Sequence, residues 1–196
     1  MNGAAAVRGR YVGGRATGYD ERRSAKPFWA KEHAAVREML AYLPKGAQVL
    51  DIPVGTARYA TIYQELGLWA AGVDISLDML AVAQDKIDSL GFVMNLRQGD
   101  VLAIDAPDRA YDVVVCSRLL NWLLPNEMAL AISEMARVTR HRMIVSIELG
   151  KRASDKGNKP HRHAVFEAAV RAVGGIIAER IEISHNYWMI RVALWR

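Results

Sequence analysis

The order of the apolar segments constrains the fold of this chain more than any other feature. From residue 47 onward, short apolar or β-branched runs alternate with segments whose apolar residues recur at helical spacing. This alternation is typical of βαβ units, in which right-handed crossover helices join parallel strands. The predicted parallel strands before residue 149 are 47–52, 69–75, 92–97, 111–117 and 143–148.

Residue types that commonly begin or end helices mark the bounds of the predicted helices. Pro27 suits a first helical turn, Ser76 suits an N-cap and Gly91 suits a helix end. The predicted helices are 27–43, 58–66, 77–90, 125–139 and 161–173.

The last two predicted strands, 176–184 and 187–195, are separated by a tight Ser-His-Asn turn. A turn this short leaves no room for a crossover helix, so these two strands must pair antiparallel. The expected fold is therefore α/β. It is a doubly wound, Rossmann-like, seven-stranded and mostly parallel sheet, with an antiparallel last strand and helices on both faces.

Length and composition fit a single α/β domain. The chain has 196 residues, of which 52% are hydrophobic and 24% are charged. Residues 1–16 hold four glycines and four alanines and are predicted to form a flexible N-terminal arm, with 17–196 as the domain. Cys116 is the one cysteine, which excludes an internal disulfide framework. Neither a membrane span of about 20 apolar residues nor a secretory signal is found, so we expect a cytoplasmic protein.

Four of the predicted strands end in residues suited to binding a ligand. In doubly wound sheets, ligands bind at the carboxyl ends of the strands. Asp51 opens the segment DIPVGTAR after the first strand, and Asp74 ends the second. Asp100 follows the third strand in QGDV, and Cys116 begins CSRLLNW at the end of the fourth.

This series resembles the class I S-adenosylmethionine-dependent methyltransferases over about residues 47–150. An acidic residue that opens a small-residue loop is similar to the D-x-G-x-G-x-G pattern of that family. The glycine motif G-x-G-x-x-G of nicotinamide-binding domains is absent after the first strand. Pro53 and Ala57 stand where the family pattern has glycines.

The resemblance implies S-adenosylmethionine as cofactor and S-adenosylhomocysteine as product. A turn of small residues lets backbone N–H groups approach the amino-acid tail of this ligand, and a helix N-terminus favours its carboxylate. By resemblance, the cofactor-binding residues are Asp51, Pro53, Gly55, Thr56 and Ala57 for the tail, Asp74 for the ribose hydroxyls, Ile75 and Met79 for the adenine faces, Asp100 and Val101 for the adenine edge, and the Cys116 carbonyl for the amino group. Tyr19 and Arg23 are candidates for a segment that folds over the cofactor.

Four residues are candidates for a catalytic role. Asn121 follows the fourth strand, beside the methyl position that the resemblance implies. His161, His163 and His185 lie on the ligand side of the predicted sheet, and imidazole titrates near neutrality, so any of them can deprotonate an acceptor. They are equally consistent with an anion site at a helix terminus or with plain surface residues. No third ligand accompanies His161 and His163 at a recognised spacing, so no metal site is predicted.

The charge distribution bears on the acceptor. Residues 1–50 and 137–196 carry net charges of +5 and +7, whereas 51–136 carry −7. The basic loop 151–163 is typical either of a solvated loop or of a site for phosphate or carboxylate. We expect in-line methyl transfer to a small molecule or to a lipid or glycan head group, and the basic loop favours an anionic one.

Two alternatives stay open. The basic flanks favour a nucleic-acid (RNA) methyltransferase, but no N/D-P-P-Y motif follows the fourth strand. The altered loop at Pro53 and Ala57 favours a non-catalytic scaffold or partner subunit that binds S-adenosylmethionine.

Overall fold

A computed structural model describes residues 14–149 and 162–195 of the chain. The α-helices are α1 Gly14–Thr17, α2 Tyr19–Ser24, α3 Pro27–Leu40, α4 Ala60–Glu65, α5 Leu77–Ser89, α6 Pro125–Val138 and α7 Arg162–Ala172, with a 3₁₀ turn at Leu120–Trp122. The strands are β1 Gln48–Asp51, β2 Trp69–Asp74, β3 Met94–Gln98, β4 Tyr111–Cys116, β5 Thr139–Glu148, β6 Gly175–Ser184 and β7 Tyr187–Leu194.

The seven strands form one sheet in the order β3-β2-β1-β4-β5-β7-β6. Neighbouring strands from β3 to β5 pair parallel, and β7 pairs antiparallel with both β5 and β6. The predicted doubly wound sheet with an antiparallel last strand is confirmed. The strand order reverses between β1 and β4, which is where a sheet of this kind opens a crevice for ligands.

The central strands are buried on both faces of the sheet. Successive side chains of a strand point to opposite faces, so Val113 and Val114 belong to two different apolar clusters. Val113 packs with residues of α3, α4 and α5, and Val114 packs with residues of α6 and α7. The β-branched run of β4 is thus explained by burial on both sides.

Several helix and strand ends differ from the sequence predictions. The helix expected from residue 58 begins at Ala60, because Ala57 adopts a left-handed backbone with φ 53° and the chain turns before it coils. Strand β5 begins at Thr139 rather than at 143, so His141 lies within it. Ser76 caps α5 as predicted, since its Oγ accepts a hydrogen bond from Met79 N at 3.3 Å.

The predicted N-terminal arm, 1–16, lies mainly outside the described residues. Its last residues, 14–16, belong to α1, and Ala16 is buried. The extent of the arm and the domain boundary at residue 17 stay predictions. Residues 150–161, which include most of the basic loop, also lie outside the described part.

No helix within 14–149 and 162–195 combines the length and the apolarity that crossing a bilayer requires.

Gly72 of β2 packs closely against Leu96 of β3 and Val54 of the loop after β1. A Cβ at this position would lie 2.6 Å from Leu96 Cδ2 and 2.8 Å from Val54 Cγ2. We expect Gly72→Ala to lower the free energy of unfolding by about 1–3 kcal/mol, because overpacking forces these side chains to shift. Urea unfolding measures the change. Asn95→Ala, an exposed position on β3, is the control and should stay within about 0.5 kcal/mol of wild type. Equal midpoints for Gly72→Ala and wild type would contradict the packing.

Candidate active site

Two adjoining clefts lie at the carboxyl ends of the parallel strands. The first cleft has an empty volume of about 610 Å³, part of which is open to solvent. It is lined by Tyr19, Asp51, Pro53, Val54, Gly55, Thr56, Arg58, Tyr59, Asp74, Met79, Ser117, Arg118, Leu119 and Trp122. Seven of the residues predicted to bind the cofactor are therefore brought together there: Asp51, Pro53, Gly55, Thr56, Asp74, Met79 and Tyr19.

Asp74 connects the end of β2 to the loop that follows β1. Its Oδ2 accepts a hydrogen bond from Gly55 N at 2.9 Å, and its Oδ1 accepts one from Ser76 N at 2.9 Å. The side chain is buried, and burial raises the pKa of this carboxyl against the opposing effect of the backbone N–H donors. Asp74 thereby fixes the loop and presents a carboxylate at the cleft.

Asp51 is the second carboxyl group of the first cleft. It is almost completely buried, and Tyr63 donates its hydroxyl hydrogen to Oδ2 at 2.9 Å. Burial raises the pKa of Asp51 to about 7, although the hydrogen bond from Tyr63 opposes the shift. Near neutral pH, a cationic group in the cleft would therefore favour the ionised form of Asp51.

Helix α2 lies against the first cleft. Thr56 Oγ1 donates to Asp20 Oδ1 at 2.6 Å, and Lys86 forms an ion pair with the same carboxylate. The ring of Tyr19 lies 6.1 Å from that of Trp29, measured between centroids. Asp20 therefore attaches the helix to the ligand loop and to α5, which brings Tyr19 and Arg23 to the clefts.

A buried ion cluster connects α3 to the two clefts. Glu32 has no exposed surface, and its Oε2 accepts hydrogen bonds from Arg58 Nη1 at 2.8 Å and from Arg118 Nε at 3.0 Å. Its Oε1 accepts hydrogen bonds from Ser117 Oγ at 3.1 Å and from the Tyr187 hydroxyl at 2.8 Å. These five residues are called the Glu32 cluster below. The cluster joins α3 to the residues that follow β1 and β4 and to the first residue of β7.

Glu32 was not among the residues predicted from the sequence. Its partners are 26, 85, 86 and 155 residues away along the chain, so no local motif contains them. One signal was available: Glu32 falls on the apolar stripe of α3 with Val36, Met39 and Leu40. A carboxylate on an apolar stripe requires a buried partner.

Electrostatics keeps Glu32 ionised. Burial alone would raise its pKa, but the guanidinium groups of Arg58 and Arg118 outweigh burial and hold the pKa below its usual range. Arg118 adopts a left-handed backbone with φ 61°, and its backbone N donates to Ser146 Oγ at 2.7 Å. This uncommon conformation directs the chain after β4 into the cluster.

The second cleft adjoins the first and shares Tyr19, Arg118 and Trp122 with it. Its empty volume, part of which is open to solvent, is about 820 Å³. The lining residues are Tyr19, Arg23, Phe28, Arg118, Asn121, Trp122, Glu148, Ser184, His185 and Tyr187.

Two of the four candidate catalytic residues line the second cleft. Asn121 Oδ1 accepts a hydrogen bond from Glu148 N at 2.7 Å, which fixes the amide, and His185 is exposed in the turn between β6 and β7. His163 lines neither cleft; its Nε2 lies 2.8 Å from Glu167 Oε1 on α7. His161 lies outside the described residues.

The remaining predicted cofactor residues do not line the first cleft. Ala57 and Cys116 are buried beneath it at the ends of the β1 loop and of β4. Asp100 Oδ1 accepts a hydrogen bond from Leu102 N at 3.0 Å in the turn after β3. The predicted adenine contacts of Ile75, Asp100 and Val101 stay predictions.

About half of the chain is similar to known methyltransferases. Residues 49–142 match the family model of a methyltransferase domain. Over 98 residues the chain is 38% identical to phosphatidylethanolamine N-methyltransferase of Cereibacter sphaeroides, a match covering 49% of this chain and 47% of that protein. Over 95 residues it is 34% identical to demethylmenaquinone methyltransferase of Renibacterium salmoninarum, covering 48% and 38%. The matched segment thus spans about half the length of this chain and half or less of these relatives.

Solved structures share the fold. Magnesium protoporphyrin IX methyltransferase of Synechocystis PCC 6803, with bound S-adenosylhomocysteine, superposes with a TM-score of 0.74 at 19% identity over 99% of this chain and 96% of that one. The [4+2]-cyclase SpnF superposes with a TM-score of 0.68 at 16% identity over 82% and 80%. These matches confirm the predicted resemblance to the class I S-adenosylmethionine-dependent methyltransferases.

Removal of the Glu32 charge should destabilise the folded protein. We expect Glu32→Gln to lower the free energy of unfolding at pH 7 by roughly 3–5 kcal/mol, because two guanidinium groups lose a buried counter-charge. Because the pKa of Glu32 is lower in the folded state, ionised Glu32 stabilises the fold fully above its unfolded-state pKa of about 4.3. This stabilisation is lost as the pH falls through the folded-state pKa. The gap between wild type and variant should therefore close in acid. Thermal unfolding from pH 7 to pH 3 measures both effects.

The matched control is Glu38→Gln, an exposed position on the same helix. Its unfolding should differ from wild type by less than about 0.5 kcal/mol. A Glu32→Gln variant as stable as this control would show that Glu32 is not a required counter-charge.

Proposed function

We propose that the chain binds S-adenosylmethionine in the first cleft and transfers its methyl group to an acceptor in the second. The observation that carries the proposal is the contact between the clefts, which share Tyr19, Arg118 and Trp122 at the carboxyl ends of β1 and β4. Ligands bound in adjoining clefts would face each other at these residues. Such placement is the principal requirement for an in-line displacement.

The first cleft fits the cofactor chemically. The ligand carries hydroxyl groups and two cationic groups, and Asp51 and Asp74 present carboxyl groups to this cleft. The ligand also carries a carboxylate, and Arg58 Nε is a buried donor without a hydrogen-bond partner among the described residues. A buried donor of this kind favours an anionic group beside it.

When bound, S-adenosylmethionine supplies a methyl group that its sulfonium makes electrophilic. Asp74 would hold the ribose hydroxyls, and the loop around Gly55 would present backbone N–H groups to the tail. Tyr19 and Trp122 line both clefts and would exclude water from their junction. His185 is the candidate to take a proton from the acceptor, and Asn121 the candidate to orient it.

The acceptor is proposed to be a small molecule or a lipid or glycan head group. The names of the relatives support this class, since they include phosphatidylethanolamine and demethylmenaquinone methyltransferases. An anionic acceptor is favoured by Arg23 and Arg118 in the second cleft. A nucleic-acid acceptor has no comparable support. A cytoplasmic location stays a prediction.

One observation supports a second candidate, a binding scaffold without methyl transfer. Ala57 adopts φ 53° at a position where the family pattern has glycine, so the loop keeps a left-handed turn at the expense of strain. The likeness to the cyclase SpnF also shows that this fold is not confined to methyltransferases. Cofactor binding without S-adenosylhomocysteine release on any acceptor would favour the scaffold.

Calorimetric titration with S-adenosylmethionine and S-adenosylhomocysteine tests the cofactor site. Wild type should bind both ligands. Asp74→Ala should weaken binding by about 10- to 100-fold, because charge-assisted hydrogen bonds of roughly 1.5–3 kcal/mol are lost. Asp85→Ala, which removes an equal charge at an exposed position of α5, should leave the affinity unchanged. Failure of the folded wild type to bind either ligand would refute the proposed function.

A further inference from the structure

We propose that Arg118 and Arg23 form a binding site for an oxyanion, the carboxylate or phosphate group of the acceptor, in the second cleft. The assignment of this anion to an acceptor rests on the proposed function. The binding of the anion itself does not, because it depends only on the residues of the cleft.

Arg118 is fixed with one edge of its guanidinium group unoccupied. Glu32 accepts hydrogen bonds from its Nε and Nη2, whereas Nη1 has no hydrogen bond to any residue of the described ranges. The side chain keeps about 20% of its surface exposed and lines the second cleft. A guanidinium group held in this way presents planar donors that match an oxyanion.

The charge of Arg118 is not fully neutralised. Glu32 is the one carboxylate of its cluster and faces two guanidinium groups, those of Arg58 and Arg118. One positive charge therefore remains in excess within a largely buried group. The rings of Phe28 and Tyr187 lie 4.9 and 5.6 Å from the Arg118 guanidinium carbon, and they displace water from its faces. Low local hydration strengthens the attraction of an anion.

Arg23 supplies a second, independent positive charge. It is half-buried in the second cleft, with its guanidinium carbon 5.6 Å from the centroid of the Tyr19 ring. It forms no ion pair with a carboxylate of the described ranges. The hydrogen bond of Asp20 with Thr56 fixes α2 and with it the position of Arg23 at the cleft.

The two clefts differ in the charge they offer a ligand. The first cleft is lined by two carboxyl groups, Asp51 and Asp74, and by two guanidinium groups, Arg58 and Arg118, so its formal charges balance. The second cleft has Glu148 as its carboxylate among the described lining residues, against the guanidinium groups of Arg23 and Arg118. An anionic group is thus better accommodated in the second cleft, which is where the acceptor is proposed to bind.

Calorimetry on the full chain without cofactor tests the site, with inorganic phosphate and malonate as probes at constant ionic strength. Wild type should bind each probe saturably. Arg118→Gln should abolish binding, and Arg23→Gln should weaken it about tenfold or more. Arg118→Lys keeps the charge without the planar donors and should give an intermediate affinity. Arg22→Gln, an exposed position next to Arg23 on α2, is the matched control and should bind like wild type.

A second titration, in saturating S-adenosylhomocysteine, separates the two clefts. Phosphate binding that persists supports the site in the second cleft. Displacement of phosphate by S-adenosylhomocysteine would assign the anion to the cofactor cleft and overturn the proposal. If S-adenosylhomocysteine does not bind at all, the proposed function fails, but the dependence on Arg118 and Arg23 still decides the anion site.

Vesicles distinguish the source of the oxyanion. If the wild type cosediments with phosphatidylglycerol vesicles and Arg23→Gln does not, the oxyanion is a lipid head group. If the wild type binds phosphate and malonate but not the vesicles, the oxyanion belongs to a soluble molecule. Either result supports the site. Absence of saturable anion binding by wild type, or equal binding by Arg23→Gln and Arg22→Gln, overturns it. If Arg118→Gln does not fold, the anion affinities of Arg118→Lys and Arg23→Gln test the site instead.

Discussion

The pairing of Glu32 with two arginines is the interaction on which the site depends. Glu32 lies on α3, whereas Arg58 follows the β1 loop and Arg118 follows β4. A carboxylate with no exposed surface is tolerated only when its charge and its lone pairs are satisfied, and here four side chains do so. The arginines depend on Glu32 in turn, because a movement of α3 would remove the carboxylate that holds both guanidinium groups. The helix, the loop and the end of β4 are therefore fixed relative to one another by a single group.

The sheet determines where that group can act. Apolar burial on both faces of β1 and β4 leaves only the strand ends accessible to ligands, and the reversal of strand order separates the loops there. The Asp74 carboxylate then ties the β1 loop to the end of β2. Hydrophobic burial thus provides the frame, and a few charged hydrogen bonds determine the shape of the two clefts.

The sequence predicted the frame well because its signals are local. Strand burial appears as β-branched runs such as YDVVVC, helix ends appear as Ser76 and Gly91, and a short turn forces the last two strands to pair. Asp51, Gly55 and Asp74 were expected at one site because parallel strands end at one edge of the sheet and because the loop resembles that of the methyltransferases. Glu32, Tyr187 and the role of Arg118 were missed, since their contacts join positions 86 and 155 residues apart. His163 was predicted from its chemistry and its place on the ligand side of the sheet, whereas in the structure it pairs with Glu167 of α7 and lines neither cleft.

The residues that stabilise this site are also those that would meet a ligand. A hydrophobic replacement of the Glu32 cluster would hold α3 as well or better by packing alone, since buried ion pairs contribute little net stability. What packing cannot provide is a fixed guanidinium edge with an excess positive charge beside a cleft. At this position beside the cleft, Arg118 has a left-handed backbone, which is energetically unfavourable for a residue other than glycine. The left-handed backbone and the buried charge of Arg118 together therefore support the proposed anion site.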